Sequence, residues 1–109
     1  MADTLGAFEQ AVLLAIVRLG DGAYGRAILK EVQARLERAV AAGAVHATLE
    51  RLEQKRLVAS RLGSGTPVRS GRVRRFYRLQ PSGLRALNDA RAAVNALWHG
   101  LEWPLKGHA

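Results

Sequence analysis

The stretch AVHATLERLEQKRLVASRLGSGTPVRSGRVRRFYRL, residues 44–79, decides the fold. Its first part places Val45, Leu49 and Leu52 at helical spacing, which predicts a helix from about Ala44 to Lys55. At Leu57 the period changes. Leu57 to Leu62 reads as a short strand, and Gly63-Ser64-Gly65-Thr66-Pro67 as a cluster of turn residues. From Val73 to Leu79 the chain alternates, with Val73, Arg75, Tyr77 and Leu79 on one face and Arg74, Phe76 and Arg78 on the other. Two strands joined by a long basic loop predict an antiparallel hairpin.

Upstream, Phe8, Val12, Leu13, Ile16 and Leu19 predict an amphipathic helix over residues 7–19. Gly20-Asp21-Gly22 should end it, since Gly accepts the left-handed geometry of a helix C-terminus. A second helix is expected from about Tyr24 to Arg38, with Ala27, Ile28, Val32 and Leu36 on one face, and a turn at Ala39–Gly43. Downstream, Pro81 suits a first helical turn and opens a fourth helix reaching about His99. The fold class is therefore mainly α with a small antiparallel β-hairpin, a winged helix-turn-helix plus a C-terminal dimerisation helix. Residues 1–80 would be the DNA-binding part and residues 81–109 the dimerisation helix and tail. In such a domain the third helix enters the major groove while the hairpin touches backbone or minor groove.

The charge supports a polyanionic partner. Residues 1–50 carry a balance of −1 and residues 80–109 one of +1. Residues 51–79 carry nine basic side chains (Arg51, Lys55, Arg56, Arg61, Arg69, Arg72, Arg74, Arg75, Arg78) against Glu53 alone, so the net +8 of the chain resides there. Eight of the nine are Arg, whose planar fork matches phosphate and guanine. The 109 residues, 49% apolar and 24% charged, fit one globular domain.

Several function classes drop out. The chain has no Cys, so disulfide scaffolds, thiolate metal sites and thiol catalysis are excluded. His46, His99 and His108 are too scattered for a metal cluster, and no metal or cofactor is expected. The longest apolar run, Ala11 to Val17, is far short of the roughly 20 residues of a membrane span, so a cytoplasmic protein is expected. Gly20-Asp21-Gly22-Ala23-Tyr24-Gly25 matches G-x-G-x-x-G, but a dinucleotide site needs a strand before it and an acidic residue ending a second strand. Residues 13–17 fit a helical face instead, and Ala39 to Gly43 offer neither strand nor acid. Nothing in these patterns calls for an enzyme.

Several separate blocks, in order, carry a family resemblance. They are Leu5-Gly6-Ala7-Phe8-Glu9 with Val12-Leu13-Leu14-Ala15, then Asp21 to Gly25, Gly43 to Glu53, Leu57-Val58, Gly71 to Leu79 and Pro81-Ser82-Gly83. In these the chain resembles the short form of the PadR family of bacterial transcriptional regulators, over about residues 5–90. The resemblance implies a dimeric, sequence-specific DNA-binding regulator, a repressor reading an inverted repeat. The family usually has Tyr where His46 stands and Gly where Arg56 stands, and this sequence departs from the pattern at both. An architectural, nonspecific nucleic-acid binder shares the basic hairpin and is the alternative.

On this reading Ala44, His46, Ala47, Thr48 and Arg51 face DNA from the third helix, between buried Val45, Leu49 and Leu52. Ala47 and Thr48 could offer methyl contacts to thymine. The loop from Gly63 to Gly71 would be the wing, with Arg69, Arg72 and Arg74 on phosphates, and Tyr24 could donate to another or pack in the core. Leu84, Leu87, Arg91, Val94, Trp98 and Leu101 form a heptad-like seam expected to hold a homodimer. Trp98 and Trp103 could sandwich a small aromatic effector, as some members of the family do, or serve as hydrophobic filler.

Overall fold

A computed structural model describes residues 5–63 and 73–107. The elements run α1 (Ala7–Leu19), a 3-10 turn (Gly20–Gly22), α2 (Gly25–Leu36), α3 (Ala42–Gln54), β1 (Val58–Leu62), β2 (Arg75–Leu79) and α4 (Pro81–Trp98). This is the expected order.

The core follows from the helical stripes. Val12, Leu13 and Ile16 of α1, Ile28 and Val32 of α2, and Val45, Leu49 and Leu52 of α3 are buried together, joined by Val58 and Tyr77 from the hairpin. α1 stops where the periodicity does: Gly20 adopts φ 56° and its N–H donates to the Ile16 carbonyl. β1 and β2 pair antiparallel in the register Val58 to Leu79 and Ser60 to Tyr77. The segment before α2 joins this sheet, because the Tyr77 N–H donates to the Ala23 carbonyl at 2.8 Å and Tyr24 bridges Phe76. The start of α2 is thereby tied to the hairpin.

Three boundaries differ from expectation, the first being the end of α2 at Leu36, two residues short of Arg38, where Glu37 turns left-handed at φ 52°. α3 begins at Ala42, so Gly43 lies in its first turn and not in a linker. The sequence hides this start because the N-cap is Ala41, which has no side chain to cap with. β2 begins at Arg75, two residues later than the alternation suggests; even so, the Gly63 N–H donates to the Arg74 carbonyl at 2.6 Å and keeps the hairpin paired to that point.

The corner between α3 and β1 is closed by a Schellman motif. The Leu57 N–H donates to the Leu52 carbonyl and the Arg56 N–H to the Glu53 carbonyl, both at 2.9 Å. Arg56, in the position that glycine ordinarily takes, has φ 63°. α4 packs its first turn on this corner: Ser82 Oγ donates to the Arg56 carbonyl at 2.6 Å, and a Cβ on Gly83 would collide with the Leu57 carbonyl oxygen. Ala86, Leu87 and Ala90 continue the contact with the core. Beyond Ala90 every residue to Gly107 is exposed. No helix among the described residues is long and apolar enough to cross a membrane.

Candidate nucleic-acid interface

The start of α2, the start of α3 and the start of β2 enclose an open groove of about 670 Å3, lined by Tyr24, Arg26, Val45, His46, Leu49 and Arg74 among others. Neither Tyr24 nor Ala41 makes a side-chain cap, which leaves the first amides of both helices without one, and Gly25 and Ala42, the first residues of these helices, line the groove. Helix N-termini favour anions, and the groove lining, which includes Arg75 as well, contains no carboxylate among the described residues.

Aromatic stacking fixes the cationic rim. The Tyr24 and Phe76 rings meet edge to face with centroids 5.7 Å apart. The Arg74 guanidinium lies 4.2 Å from the centroid of the Tyr24 ring, and that of Arg61 lies 5.1 Å from Phe76. A column of cation, ring, ring and cation thus crosses from the hairpin to α2. Tyr24 is half-buried, packs against Phe76 and borders the groove.

On α3 the exposed face comprises Gly43, Ala44, His46, Ala47, Glu50 and Arg51, continued by Gln54. Thr48 departs from expectation. It is only 2% exposed and shares the inward side with Val45, Leu49 and Leu52. Its hydroxyl accepts a hydrogen bond from Arg51 Nη2 at 3.2 Å, which is how a polar residue fits there. Thr48 is therefore not on the surface that faces outward. Glu50, not singled out from sequence, is on that surface, and His46 Nε2 contacts its Oε1 at 2.9 Å.

Arg51 does not extend freely. Its Nε lies 3.8 Å from Glu9 Oε2, and Lys55 Nζ donates to the same oxygen at 3.1 Å. Glu9 belongs to α1 and is nearly buried, with Oε1 accepting the Gly6 N–H at 3.1 Å. Burial pushes its carboxyl upward, but the Gly6 N–H, Lys55 and Arg51 outweigh that and hold it below its ordinary value. A sequence signal for this existed: Glu9 shares the buried side of α1 with Val12, Leu13 and Ile16, a charge on a core stripe.

Of the other expected site residues, Arg69 and Arg72 lie outside the described residues, as does most of the Gly63–Gly71 loop. Leu84, Val94 and Trp98 are exposed, but Leu87 packs on the chain's own core, and Leu101 falls beyond the end of the helix. Leu97, 79% exposed, is an apolar residue that the heptad reading passed over. Trp103 is 80% exposed on the segment after α4.

No curated protein matches the chain. Solved structures do. A PadR family transcriptional regulator from Eggerthella lenta is 30% identical, with a TM-score of 0.64, covering 82% of this chain and 75% of that one. A PadR family transcription regulator from hypervirulent Clostridium difficile is 26% identical, with a TM-score of 0.63 and coverage of 84% and 91%. RosR of H. salinarum, at 24% identity, shares the fold with a TM-score of 0.70 over 94% of this chain and 84% of that one. Residues 13–89 match the transcriptional regulator PadR-like family, and the chain belongs to that family of DNA-binding, winged-helix regulators.

Proposed function

We propose that the protein is a homodimeric repressor that reads an inverted repeat with α3 and grips the flanking backbone with the hairpin. The observation that carries this reading is the groove between α2, α3 and β2, rimmed by Arg26, Arg74 and Arg75, free of carboxylates among the described residues and bordered by the outward face of α3. Arg side chains and helix N-termini there suit phosphates. Gly43, Ala44 and Ala47 allow close approach to the major groove, where alanine methyl groups suit thymine. Glu50 adds an acceptor suited to the amino group of cytosine, and its partner His46 lies at the groove edge. Arg69 and Arg72 would add phosphate contacts from the wing.

Residues 1–80 would form the DNA-binding part and residues 81–109 the dimerisation element. Exposed Leu84, Val94, Leu97 and Trp98 support a partner helix along α4, since paired half-sites require a two-fold dimer. Leu101 and Trp103, both exposed, would extend the covered surface, and Trp98 with Trp103 could accept a planar aromatic effector.

Selection of duplexes from random sequence, followed by competition with bulk DNA at physiological salt, tests this function. The expected result is an enriched inverted repeat with half-site centres about one helical turn apart. Equal binding to all duplexes would favour an architectural role instead. Transcription from a promoter carrying the selected site reads the sign of regulation, with repression expected.

A further inference from the structure

Glu9 stands out because its two carboxylate oxygens do different things. Oε1 accepts the Gly6 N–H at the start of α1. That is the ordinary duty of an acidic or amide residue in the third helical position, and a glutamine would perform it as well. Oε2 faces the other way, 3.1 Å from Lys55 Nζ and 3.8 Å from Arg51 Nε. Helix capping does not need those cations. The Glu9 side chain is 11% exposed, whereas that of Arg51 is 52% exposed and that of Lys55 33%. The anion is thus fixed inside, and the cations reach to it from the edge of the DNA-facing helix.

On α3, Ala44, Thr48, Arg51 and Lys55 follow one stripe, at intervals of three and four residues. Arg51 is held on this stripe twice, by Glu9 and through its bond to Thr48 Oγ1. Lys55 sits one turn further on, in direct contact with Glu9. A DNA phosphate that recruited Lys55 would take from a largely buried carboxylate its nearest counter-charge, which is unfavourable.

We propose that Glu9 is a built-in competitor of the DNA backbone: it withholds Lys55 from phosphate and positions Arg51 at the edge of the reading face of α3. Residues 51–79 therefore supply fewer phosphate contacts than their charge suggests, and affinity for unrelated DNA is restrained. This inference rests on the reading of α3 as the DNA-facing helix.

The test compares the wild type, Glu9→Gln, Lys55→Gln and the double variant on a selected duplex and on unrelated DNA across a salt series. Glu9→Gln keeps a hydrogen-bond acceptor for the Gly6 N–H while removing the charge. With one released cation in each of two protomers, the slope of log affinity against log salt should steepen by about 2. Preference for the selected duplex over unrelated DNA should fall. Lys55→Gln alone should leave the slope within about 0.5 of the wild type, yet flatten it by about 2 when added to Glu9→Gln. A capping role alone would produce no such coupling. Equal slopes for wild type and Glu9→Gln would overturn the inference. So would a flattening by about 2 on Lys55→Gln in the wild-type background, and this arm stands even if Glu9→Gln fails to fold. A wild-type slope shallower than about −2 would sink the DNA-facing assignment of this surface itself; a steep wild-type slope without coupling would sink only the role of Glu9.

Discussion

Arg74 stacks on Tyr24, with its guanidinium carbon 4.2 Å from the ring centroid, and this contact joins the hairpin to the first turn of α2. The backbone reinforces it, through the bridge between Tyr24 and Phe76 and the Tyr77 N–H bound to the Ala23 carbonyl. The stack leaves the edges of the guanidinium available to an anion while restricting where its plane can go. A cation that is already ordered loses less entropy when a phosphate arrives.

Two substitutions separate the charge of Arg74 from its placement. Arg74→Ala should weaken selected and unrelated duplexes about equally and flatten the salt slope by about 2 in a dimer. Tyr24→Leu keeps the charge but removes the platform and the edge-to-face pair with Phe76. It should cost about 1–2 kcal/mol of stability and weaken DNA binding with little change in slope. Urea denaturation and salt-dependent titrations read both effects. A reordering of preferred duplexes by Arg74→Ala would mean that Arg74 reads bases.

The left-handed conformation of Arg56 yields a gain-of-stability prediction. A side chain at φ 63° pays roughly 1–2 kcal/mol that glycine does not. Glycine gives part of that back through the greater freedom of its unfolded chain. Arg56→Gly should therefore stabilise the protein by about 1 kcal/mol, with the midpoint of urea denaturation raised and its steepness unchanged. The Ser82 bond to the carbonyl of residue 56 should survive, because it uses only backbone there. An unchanged or lower midpoint would mean that the Arg56 side chain offsets its strain by contacts of its own.

Arg56 also marks how far the sequence could be read. Helix periodicity placed α1 and α4 to within a residue, since Val12, Leu13 and Ile16, and Pro81 at the opening of α4, are local signals. The corner after α3 was legible as a place where glycine is usual, and the left-handed geometry persists there with Arg. Thr48 was misjudged because a hydroxyl reads as polar, while one bond from Arg51 lets it share the buried face. Glu9 was missed for a different reason. Its partner Lys55 is 46 residues away, and only the packed arrangement of α1 on α3 brings them together. The face of α3 was legible as small and basic, but Glu50 belonged to it only once the inward side was known to include Thr48.

Acid should expose the Glu9 cluster. Its carboxyl is held below the ordinary 4.5, by the Gly6 N–H, Lys55 and Arg51 against the opposing effect of burial. A group whose folded value is depressed contributes stability that is fully present above the unfolded value and is lost as pH falls through the folded one. Glu9→Gln should thus be less stable than the wild type at pH 7, by about 1–3 kcal/mol for lost hydrogen bonds to charged groups. The difference should shrink progressively below about pH 4.5. Denaturation at a series of pH values checks this. A gap that stays constant into the acid range would show that packing, not charge, distinguishes the two proteins.

The exposed end of α4 carries the last prediction. From Arg91 onward every residue of this helix is exposed, and the segment includes Val94, Leu97 and Trp98. The apolar side chains that remain exposed there would gain from an apolar partner. A second copy of α4 would supply one, and each fully buried Val or Leu contributes about 1.5–3 kcal/mol. Val94→Glu with Leu97→Glu removes two such side chains from each protomer and puts four carboxylates in one seam. Light scattering should then report monomers, while Leu87, which packs on the chain's own core, remains to hold α4 to the domain. The monomer should keep weak binding to any duplex, with a salt slope about half that of the wild type, and lose its preference for inverted repeats. A variant that stays dimeric would move the interface to another apolar surface, such as Leu14 and Val17 on α1. A variant that is monomeric yet still prefers the selected inverted repeat would mean that a single α3 supplies the specificity, and the dimer would then serve affinity alone.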